Sequence, residues 1–438
     1  MKPRLDATDS ILRQTGVPSG WSVKSVGELA EVVGGGTPDR DQPDYWHNGH
    51  VPWITPTDLT ANDAKYIARG AESITERGLA ESNATLVPKG SIVITTRGTV
   101  GKTAIAEVPI TCNQSCEILV PRAGETSAEF LYYLIGLGLS AFQRLSAGTT
   151  FLAITRRDLT RVRFAVPPRL SEQRAIEQVL DAIETTITKA RVARAQAWRL
   201  KRAISQRLLS HGARDERRKK TVVGYIPKSW DVVSVREVVS SFQYGLSVPM
   251  STAGRLPILR MGNIQNGEVR FDDLKYVSLP EPTIAPYLLR RGDVLFNRTN
   301  AQEWVGKVGI CRSDTEAVFA SYLIRLIHDP DRIDPYYLGH VLSSHEAQCR
   351  IKRYATPGVQ QVNINATNLG KVLIPVPTGK DGLDEQREIA TILEDAHSVA
   401  TAYEPLVDFQ GKLRLALTHD LLMGRVRLGR ESVAQVAS

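Results

Sequence analysis

Apolar residues recur at helical spacing over a long stretch that begins at Leu170 and contains neither Gly nor Pro before Gly212. The steps of three and four residues place these side chains on one face of a helix that packs against another helix. The residues of this seam are Ile176, Leu180, Ile183, Ile187 and Ala190. Arg194 and Lys201 interrupt the seam further on. At about 1.5 Å per residue the helix is expected to be about 60 Å long, which indicates a spacer or a dimerising helix.

A similar stretch, DEQREIATILEDAH from Asp384, recurs near the C-terminus and predicts a second long helix that ends at Leu422. Its seam residues are Ile389, Leu393, Ala396 and Ala400. Pro405 lies in the middle of this helix, where it removes one backbone hydrogen bond. Because the apolar spacing continues beyond the proline, we expect a bent helix rather than an interrupted one.

The rest of the chain repeats itself with a period near 210 residues. Trp21 in VPSGWSV has its counterpart in Trp230 of IPKSWDV, and SIVITTRGTVGK from Ser91 corresponds to DVLFNRTNAQEWVGK from Asp293. Each copy closes with the tripeptide EQR at the start of a long helix, at Glu172 and again at Glu385. A period of this length predicts a duplicated domain rather than a solenoid.

Within each copy the pattern is typical of an α+β domain. Short β-rich runs alternate with turn residues, and fewer segments have helical character, at about residues 128–138 and 335–354. Two long polar loops, residues 34–50 and 297–304, are candidates for function. The predicted boundaries are residues 1–168 and 214–380 for the two domains, 169–213 and 381–428 for the two helices, and 429–438 for a C-terminal tail.

Charge and composition narrow the class of protein. The formal net charge is +8 and the pI is about 9.3, which favours an anionic partner, nucleic acid before membrane. The four cysteines have neither zinc-ligand spacing nor the pattern of a disulfide framework. The polar N-terminus is unlike a signal peptide, and the apolar run at residues 130–139 is too short to span a bilayer. We therefore expect a cytoplasmic protein without metal and without a membrane partner.

Motifs for catalysis or cofactor binding are missing from the sequence. Gly101-Lys102-Thr103 is similar to the end of a phosphate-binding loop, but Thr96 stands where the first glycine is required. The three glycines at 34–36 lack the strand and helix context of a dinucleotide site. We find no zinc-hydrolase motif and no nucleophile elbow. The sequence thus predicts a protein that is not an enzyme and that binds no cofactor.

Several motifs, taken in order and present twice, carry a resemblance to a known family. In the first half they are GGGTPDRDQPDYW from Gly34, VPWITPTDL from Val51 and TTRGTVGK from Thr95. In the second half they are GDVLFNRTN from Gly292, WVGKVGI from Trp304 and QQVNINATNLGKVLIPVP from Gln360. With these motifs the chain resembles the DNA-specificity subunit of type I restriction-modification systems over nearly its whole length.

The resemblance implies a fold and a set of partners. It implies two target-recognition domains, each reading one half of a bipartite site in double-stranded DNA. The two long helices would pair antiparallel as a coiled-coil-like spacer between the domains. They would also dock two methyltransferase (modification) subunits, with restriction motor-nuclease subunits joining for cleavage. The subunit itself would be non-catalytic.

Candidate DNA contacts are the basic and amide side chains of the polar loops. Arg and Lys bind phosphates and guanine, whereas Asn and Gln pair with the edge of adenine. The candidates are Arg97, Thr99, Lys102 and Arg156 in the first half, and Arg298, Asn300, Lys307, Gln360, Gln361 and Asn363 in the second. The alternative for each is turn chemistry or a solvated surface. The basic residues of the first helix, from Lys189 to Arg207, are either a solvated face or a lining for the DNA between the half-sites.

Two other classes of function remain open at this point. The chain is alternatively a two-lobed adaptor whose helices dimerise partner subunits and whose charge is incidental. Salt-dependent binding to random duplex DNA would distinguish the two, because an adaptor does not require it. A self-contained DNA methyltransferase or nuclease would need catalytic motifs that the sequence lacks.

Overall fold

The protein forms two compact units in a computed structural model that describes residues 16–139, 142, 153–214, 216–357 and 361–428. Unit 1 comprises Met1–Lys189 and Val407–Ser438, and unit 2 comprises Ala190–Leu406. Both unit boundaries fall inside long helices, so each unit contains the beginning of one long helix and the end of the other.

Short strands and short helices make up the described body of unit 1. The strands are β1 (Ser22–Ser25), β2 (Ala30–Gly34), β3 (Val51–Ile54), β4 (Tyr66–Ile67), β5 (Glu72–Ile74), β6 (Ile92–Thr95), β7 (Thr103–Ala106), β8 (Thr111–Cys112), β9 (Cys116–Pro121) and β10 (Arg163–Val166). The helices are α1 (Val26–Leu29), α2 (Pro56–Ala61), α3 (Glu76–Ala80), α4 (Ala128–Leu137) and α5 (Arg156–Arg161), followed by the long helix α6 (Leu170–His211).

Unit 2 has a similar composition of elements. Its strands are β11 (Arg218–Thr221), β12 (Gly224–Pro227), β13 (Trp230–Ser234), β14 (Val239–Tyr244), β15 (Leu256–Leu259), β16 (Ile264–Gln265), β17 (Glu268–Val269), β18 (Lys275–Val277), β19 (Val294–Asn297), β20 (Thr299–Asn300), β21 (Val308–Ile310), β22 (Val318–Phe319), β23 (Leu323–His328), β24 (Thr356–Pro357), β25 (Val362–Asn363) and β26 (Leu373–Pro377). Its helices are α7 (Val235–Val238), α8 (Glu281–Ile284), α9 (Pro335–Ser343), α10 (His345–Lys352), α11 (Ala366–Gly370) and the long helix α12 (Gly382–Leu422). Short 3-10 helices occur at Pro43–Tyr45, Met261–Asn263 and Ala285–Tyr287.

The central sheet and one three-stranded sheet have the same topology in the two units. The central sheet has the order β2-β9-β6-β7-β4 in unit 1 and β14-β23-β19-β21-β17 in unit 2, where β16 adds one more strand at the edge. The last pair, β4 with β7 or β17 with β21, is parallel in both units. The three-stranded sheets β5-β3-β8 and β18-β15-β22 each combine one antiparallel and one parallel pair. The predicted duplication of an α+β domain is therefore confirmed.

Equivalent local sequences produce equivalent elements in the two copies. Ser25 caps α1 with Glu28, whose carboxylate accepts a hydrogen bond from the Ser25 amide at 2.7 Å. Ser234 and Glu237 repeat this at the start of α7, also at 2.7 Å. Such reciprocal caps satisfy amide groups that a helix start leaves without partners. The Ser-x-x-Glu spacing in VKSVGEL and VVSVREV thus fixes where the chain turns from the first strand of each unit into its first helix.

One detail of the predicted secondary structure was wrong. The helix expected over residues 335–354 is divided into α9 and α10 at Ser344, whose backbone is extended and whose hydroxyl accepts a hydrogen bond from the Ala347 amide at 3.3 Å. A serine in this conformation begins a new helix rather than continuing the old one. The polar loop at 297–304 is not irregular throughout, because its residues Thr299–Asn300 form β20.

Both long helices are present, and α12 continues through Pro405. Most of the predicted seam is buried, namely Ile176, Leu180, Ile187, Ala190, Ile389, Leu393 and Ala400. Ile183 and Ala396 are only half-buried. Beside Ala396, the buried position belongs to His397. The apolar pattern therefore located the packed face of each helix but missed a buried polar side chain within it.

Each unit completes its core with parts of both long helices. In unit 1, Ile176 and Leu180 of α6 share a core with Leu421 and Leu422 at the end of α12. In unit 2, Ile389 and Leu393 of α12 share a core with Leu209 near the end of α6. The beginning of one helix and the end of the other are thus built into the same apolar core, where burial contributes about 25 cal/mol per Å² of apolar surface.

Polar contacts inside each unit show that the two helix segments of that unit run in opposite directions. In unit 1, Arg427 bonds to Glu172 at 3.1 Å, and Arg414 bonds to Glu184 further along α6 at 2.8 Å. As the residue number rises on one helix, the number of its partner falls on the other. In unit 2, Lys201 lies 3.1 Å from His397, while the Ala213 amide donates to Glu385 at 3.2 Å. The helix segments are therefore antiparallel within unit 1 and within unit 2.

The glutamine of each EQR tripeptide attaches the start of its helix to the preceding domain. The Gln173 side-chain amide donates to the carbonyl groups of Glu125 at 3.0 Å and Pro167 at 3.1 Å. The Gln386 amide donates in the same way to Arg332 at 3.2 Å and to Pro377 at 3.1 Å. Both glutamines are buried, so these bonds satisfy carbonyl groups that water does not reach.

In unit 1 a second attachment of α6 to the domain lies about two turns further along the helix. It is made by Asp181, eight positions after Gln173. Asp181 accepts hydrogen bonds from the Tyr133 hydroxyl and from the Lys65 ammonium group, both at 2.5 Å. Tyr133 lies on α4, and Lys65 immediately precedes β4. Burial raises the pKa of Tyr133, so the phenol stays protonated and donates to Asp181.

Unit 2 has the same arrangement with different chemical groups. Glu394, eight positions after Gln386, accepts two hydrogen bonds from Arg312, at 2.6 and 2.7 Å, and one from His340 Nε2 at 2.7 Å. His340 on α9 corresponds in sequence to Tyr133 on α4. The pKa of Glu394 lies at about 2, because the bonds from His340 and Arg312 outweigh the effect of its burial. Burial lowers the pKa of His340 to about 4, which makes it a neutral donor near pH 7.

Replacing Glu394 by Gln leaves the largely buried Arg312 guanidinium without an anionic partner. We expect unit 2 to lose about 3 kcal/mol of its free energy of unfolding, as is usual when one member of a buried pair is removed. The measurement is urea denaturation, with hydrogen exchange of α9 and β21 to localise the effect. The matched control is Asp314→Asn, which removes an exposed ion pair with Arg291 of the same length, 2.6 Å, and should change nothing measurable. Equal losses in the two variants would contradict a special role of Glu394.

His340 should make the stability of unit 2 depend on pH. Its pKa is about 4 in the folded protein and 6.5 in the unfolded chain, so the unfolded chain binds the proton first as the pH falls. The stabilisation is complete above pH 6.5 and is lost towards pH 4, with a slope of at most about 1.4 kcal/mol per pH unit. His340→Gln keeps a donor near Glu394 but does not titrate. The free energy of unfolding, measured between pH 7.5 and 4.5, should therefore fall less steeply in this variant than in the unaltered protein.

Candidate nucleic-acid interface

The loop between β6 and β7 in unit 1 presents three of the predicted contact residues. Arg97, Thr99 and Lys102 are exposed on this loop, and their side chains form no hydrogen bond to the described part of the chain. The loop is held by its backbone, since the Thr95 amide donates to the Lys102 carbonyl at 2.9 Å and the Lys102 amide donates to Thr95 Oγ1 at 3.0 Å. The side chains of these three candidate residues thus extend from a defined turn into solvent.

A glycine is required where this turn returns to the sheet. Gly101 has φ of +94°, and a Cβ atom placed on it would lie 2.1 Å from Leu139 Cδ1. An L-residue at this position would suffer both backbone strain and a steric clash. The glycine that resembled part of a phosphate-binding loop therefore serves the geometry of the turn.

Arg156, at the start of α5, lies beside this loop but is engaged by the protein itself. Its Nε donates to Glu117 at 2.9 Å, and its guanidinium lies against Gly34, where an added Cβ would be 1.6 Å from Nη2. The Ile154 amide donates to the Thr96 carbonyl at 2.9 Å, which joins the two segments. Burial raises the pKa of Glu117, although Arg156 partly opposes this shift. A role of Arg156 in contacting DNA stays a prediction, and it competes with this ion pair.

Unit 2 brings together two segments that are far apart in sequence. β20 pairs with β25, so that Thr299 faces Asn363 and Asn300 faces Val362, and β25 also pairs with β24. The Ile364 amide donates to the Arg298 carbonyl at 2.8 Å, which matches the bond from Ile154 to Thr96 in unit 1. The predicted contacts Arg298, Asn300 and Asn363 therefore lie on neighbouring strands, with exposed Gln361 just before β25. Gln360 lies outside the described residues.

Two cations of unit 2 rest on aromatic rings. The Arg298 guanidinium lies 5.0 Å from the Tyr244 ring centroid, and its Nε is buried without a partner within the described residues. Lys307 Nζ lies 3.5 Å from the Trp304 ring centroid, and burial lowers the pKa of this lysine. Cation–π contacts of this kind hold a charged side chain in place.

Sequence reasoning did not identify Tyr244 or Trp304 as part of the surface. Trp304 could have been found, since an aromatic residue in an otherwise polar loop is a signal for a binding surface. Tyr244 lies more than 50 residues from Arg298 in sequence, and only the pairing of β14 with β23 and of β23 with β19 connects their strands.

The basic face of α6 is not uniform. Lys189, Arg191, Arg199 and Arg202 are exposed, as a solvated or DNA-facing surface requires. Lys201 differs, because it is half-buried in unit 2 beside His397 and lies 5.0 Å from the Trp198 ring centroid. Burial lowers the pKa of Lys201 to about 8. The lysine that interrupts the apolar seam is thus part of the helix packing.

Membrane-spanning helices and clusters of metal ligands are absent from the described residues. No helix among them is both long and apolar enough to cross a membrane. The same residues contain no group of three or more His, Cys, Asp or Glu side chains placed to hold a metal ion.

Comparison with known proteins identifies relatives of both units. The family described as type I restriction modification DNA specificity domain matches residues 18–196 and again residues 227–404. The MjaIX specificity subunit of Methanocaldococcus jannaschii is 36% identical over 173 residues, which is 39% of either chain. The EcoR124I/EcoR124II specificity subunit of Escherichia coli is 30% identical over 168 residues, 37% of this chain and 40% of the relative. These two matches therefore span less than half of the relatives' length.

A longer match and a solved structure extend over most of the chain. The EcoKI specificity subunit of Escherichia coli strain K12 is 22% identical over 410 residues, covering 90% of this chain and 85% of the relative. A crystal structure of the type I restriction-modification S subunit from M. genitalium shares the fold with a TM-score of 0.57 at 14% identity, covering 93% of this chain and 96% of that one. Because the family match occupies most of the sequence in two copies, the chain belongs to the type I restriction-modification DNA specificity family.

Proposed function

We propose that the chain is a cytoplasmic, non-catalytic subunit that recognises a bipartite site in double-stranded DNA, each unit reading one half-site. One observation carries this proposal. In both units the loop that follows the central strand, β6 or β19, meets a second segment distant in sequence, and the paired segments present basic or amide side chains. A constant scaffold with variable side chains on two equivalent surfaces suits the reading of two different short sequences.

The same two surfaces differ in their chemistry. The loop of unit 1 offers Arg97 and Lys102 to solvent, groups that suit phosphates and guanine. The surface of unit 2 adds the amides of Asn300, Gln361 and Asn363, which suit adenine. Two half-sites of different sequence follow from this difference.

We further propose that the long helices dock two methyltransferase subunits, which the DNA-reading units direct to the site, and that restriction motor-nuclease subunits join this complex. Apolar residues on the exposed side of α12 support docking. Ile392, Val399 and Leu406 follow one another at intervals of seven residues in unit 2 and are exposed. In unit 1, Phe409 and Leu413 continue the exposed apolar residues. A seven-residue interval is the repeat with which a further helix packs in a coiled coil.

Exchange of one unit tests the proposal against the adaptor alternative. Residues 20–165 are replaced by the same region of another family member, and the chimera is expressed with its methyltransferase. Methylation-site mapping should show one half-site changed and the other retained, because each unit has its own loops and its own apolar core. The matched control is the reciprocal chimera over residues 229–376, which should alter only the other half-site. An adaptor predicts unchanged sites in both chimeras.

Helix length should determine the distance between the half-sites. The pairing of Lys201 with His397 places Ala193 opposite Pro405, so four residues are inserted after each. The helices gain about 6 Å at 1.5 Å per residue, which equals one to two base pairs of B-DNA at about 3.4 Å each. Methylation mapping should show unchanged half-sites separated by a spacer one or two base pairs longer. An active variant that keeps the original spacer would show that the helices do not set this distance.

A further inference from the structure

A cavity of about 520 Å³ opens in unit 2 between the loop after β19 and the hairpin of β16 and β17. The hairpin turn is Asn266-Gly267, with φ of +53° and +84°, the geometry that Asn-Gly favours in tight hairpins. Gln265 and Asn266 line one side of the cavity, and Asn300, Trp304 and Lys307 line the other. The volume lies in the range of pockets that bind ligands.

The loop that forms this cavity is longer than its counterpart in unit 1. Between its central strand and the shared Val-Gly-Lys it carries three additional residues, and Trp304 directly precedes Val305 where Thr99 precedes Val100. The Trp304 side chain is 44% exposed although its backbone is fixed by a 2.9 Å bond from its amide to the Ala301 carbonyl. A large aromatic ring held at the surface beside a lysine is a typical anchor for a binding partner.

The two amide side chains in the cavity are oriented by their neighbours. Gln265 Nε2 donates to the Gly262 carbonyl at 2.9 Å, which turns Oε1 away as an acceptor. Asn300 Oδ1 accepts from the Ala301 amide at 2.8 Å, which leaves Nδ2 as a donor. Neither Oε1 nor Nδ2 has a hydrogen-bond partner within the described residues. The cavity therefore offers one acceptor and one donor beside an apolar wall.

This combination is complementary to the edge of adenine beside a thymine methyl group. In the major groove adenine presents the N6 donor and the N7 acceptor, while its thymine partner presents a methyl group. A G·C pair also offers an acceptor, guanine O6, and a donor, cytosine N4, but it has no methyl group for the Trp304 ring to contact. Lys307, on the face of Trp304, suits a phosphate next to this pair.

We propose that this cavity reads an A·T pair of the second half-site, with Gln265 and Asn300 on adenine and Trp304 on the thymine methyl. The inference rests on the proposed function, since it assumes that unit 2 binds DNA. It adds Gln265 and Trp304 to the residues that determine specificity and states which base pair they select.

Modified DNA tests the proposal on the unaltered protein. The recognition site of the complete methyltransferase complex is mapped first, and duplexes are then made with 7-deaza-adenine or uracil at each A·T pair of the second half-site. At one pair, removal of N7 or of the methyl group should weaken binding on the order of tenfold. Asn300→Ala should weaken binding to normal DNA similarly and make it insensitive to 7-deaza-adenine at that pair. Trp304→Ala should do the same for uracil.

Controls separate this inference from the proposed function. Tyr225→Ala removes another exposed aromatic ring of unit 2 that lies outside the cavity, and it should leave all the affinities unchanged. The inference is overturned if no A·T pair of the second half-site responds to either modification, or if Asn300→Ala and Trp304→Ala keep full sensitivity to both. A complex that binds a duplex of unrelated sequence as tightly as the mapped site would overturn the proposed function instead.

Discussion

The carboxylate eight residues after each EQR glutamine connects the long helices to the domains that precede them. Asp181 in unit 1 and Glu394 in unit 2 each accept hydrogen bonds from a cation next to the sheet and from a side chain on α4 or α9. Breaking such a partly buried pair is costly because the remaining charge is left without a partner. Apolar burial alone would allow a helix to slide or rotate, whereas these directional bonds determine one position along its axis and one face.

The duplicated scaffold keeps this geometry while changing its chemistry. His340 in unit 2 stands where Tyr133 stands in unit 1, whereas the cations come from different segments, since Lys65 precedes β4 and Arg312 follows β21. Both sets donate to the acidic residue at the same helix position. The two surfaces that carry the candidate DNA-binding residues show the same principle. Thr96 and Arg298 each accept a backbone bond from the second segment, but one loop is short and open and the other is longer and carries Trp304. These backbone bonds hold the two segments in the same arrangement, so the side chains are free to differ between the two units.

The architecture could be predicted from the sequence because it depends on patterns of residue types that repeat along the chain. The helix seams, the duplication, the strand at Ile92–Thr95 and its counterpart at Val294–Asn297 all follow from local periodicity. The division between α9 and α10 at Ser344 was missed, because serine tolerates a helix interior when its side chain is solvated and the pattern does not reveal its backbone. His397 and Lys201 were missed for a related reason. A buried polar residue is recognised by its partners, and these partners lie almost 200 residues apart in sequence.

The sequence by itself determined the fold class, the family and the apolar faces of both helices, since each depends on the order and spacing of residue types. Tertiary structure alone decided which candidate side chains share a surface. It joined Thr299 to Asn363 through a strand pair, engaged Arg156 with Glu117, and set Gln265 opposite Trp304 across one cavity. Such neighbours come from strand pairings between distant segments, and a single chain carries no local signal for them. Spacing along a helix or strand is encoded locally, whereas contact across a sheet is a property of the folded chain.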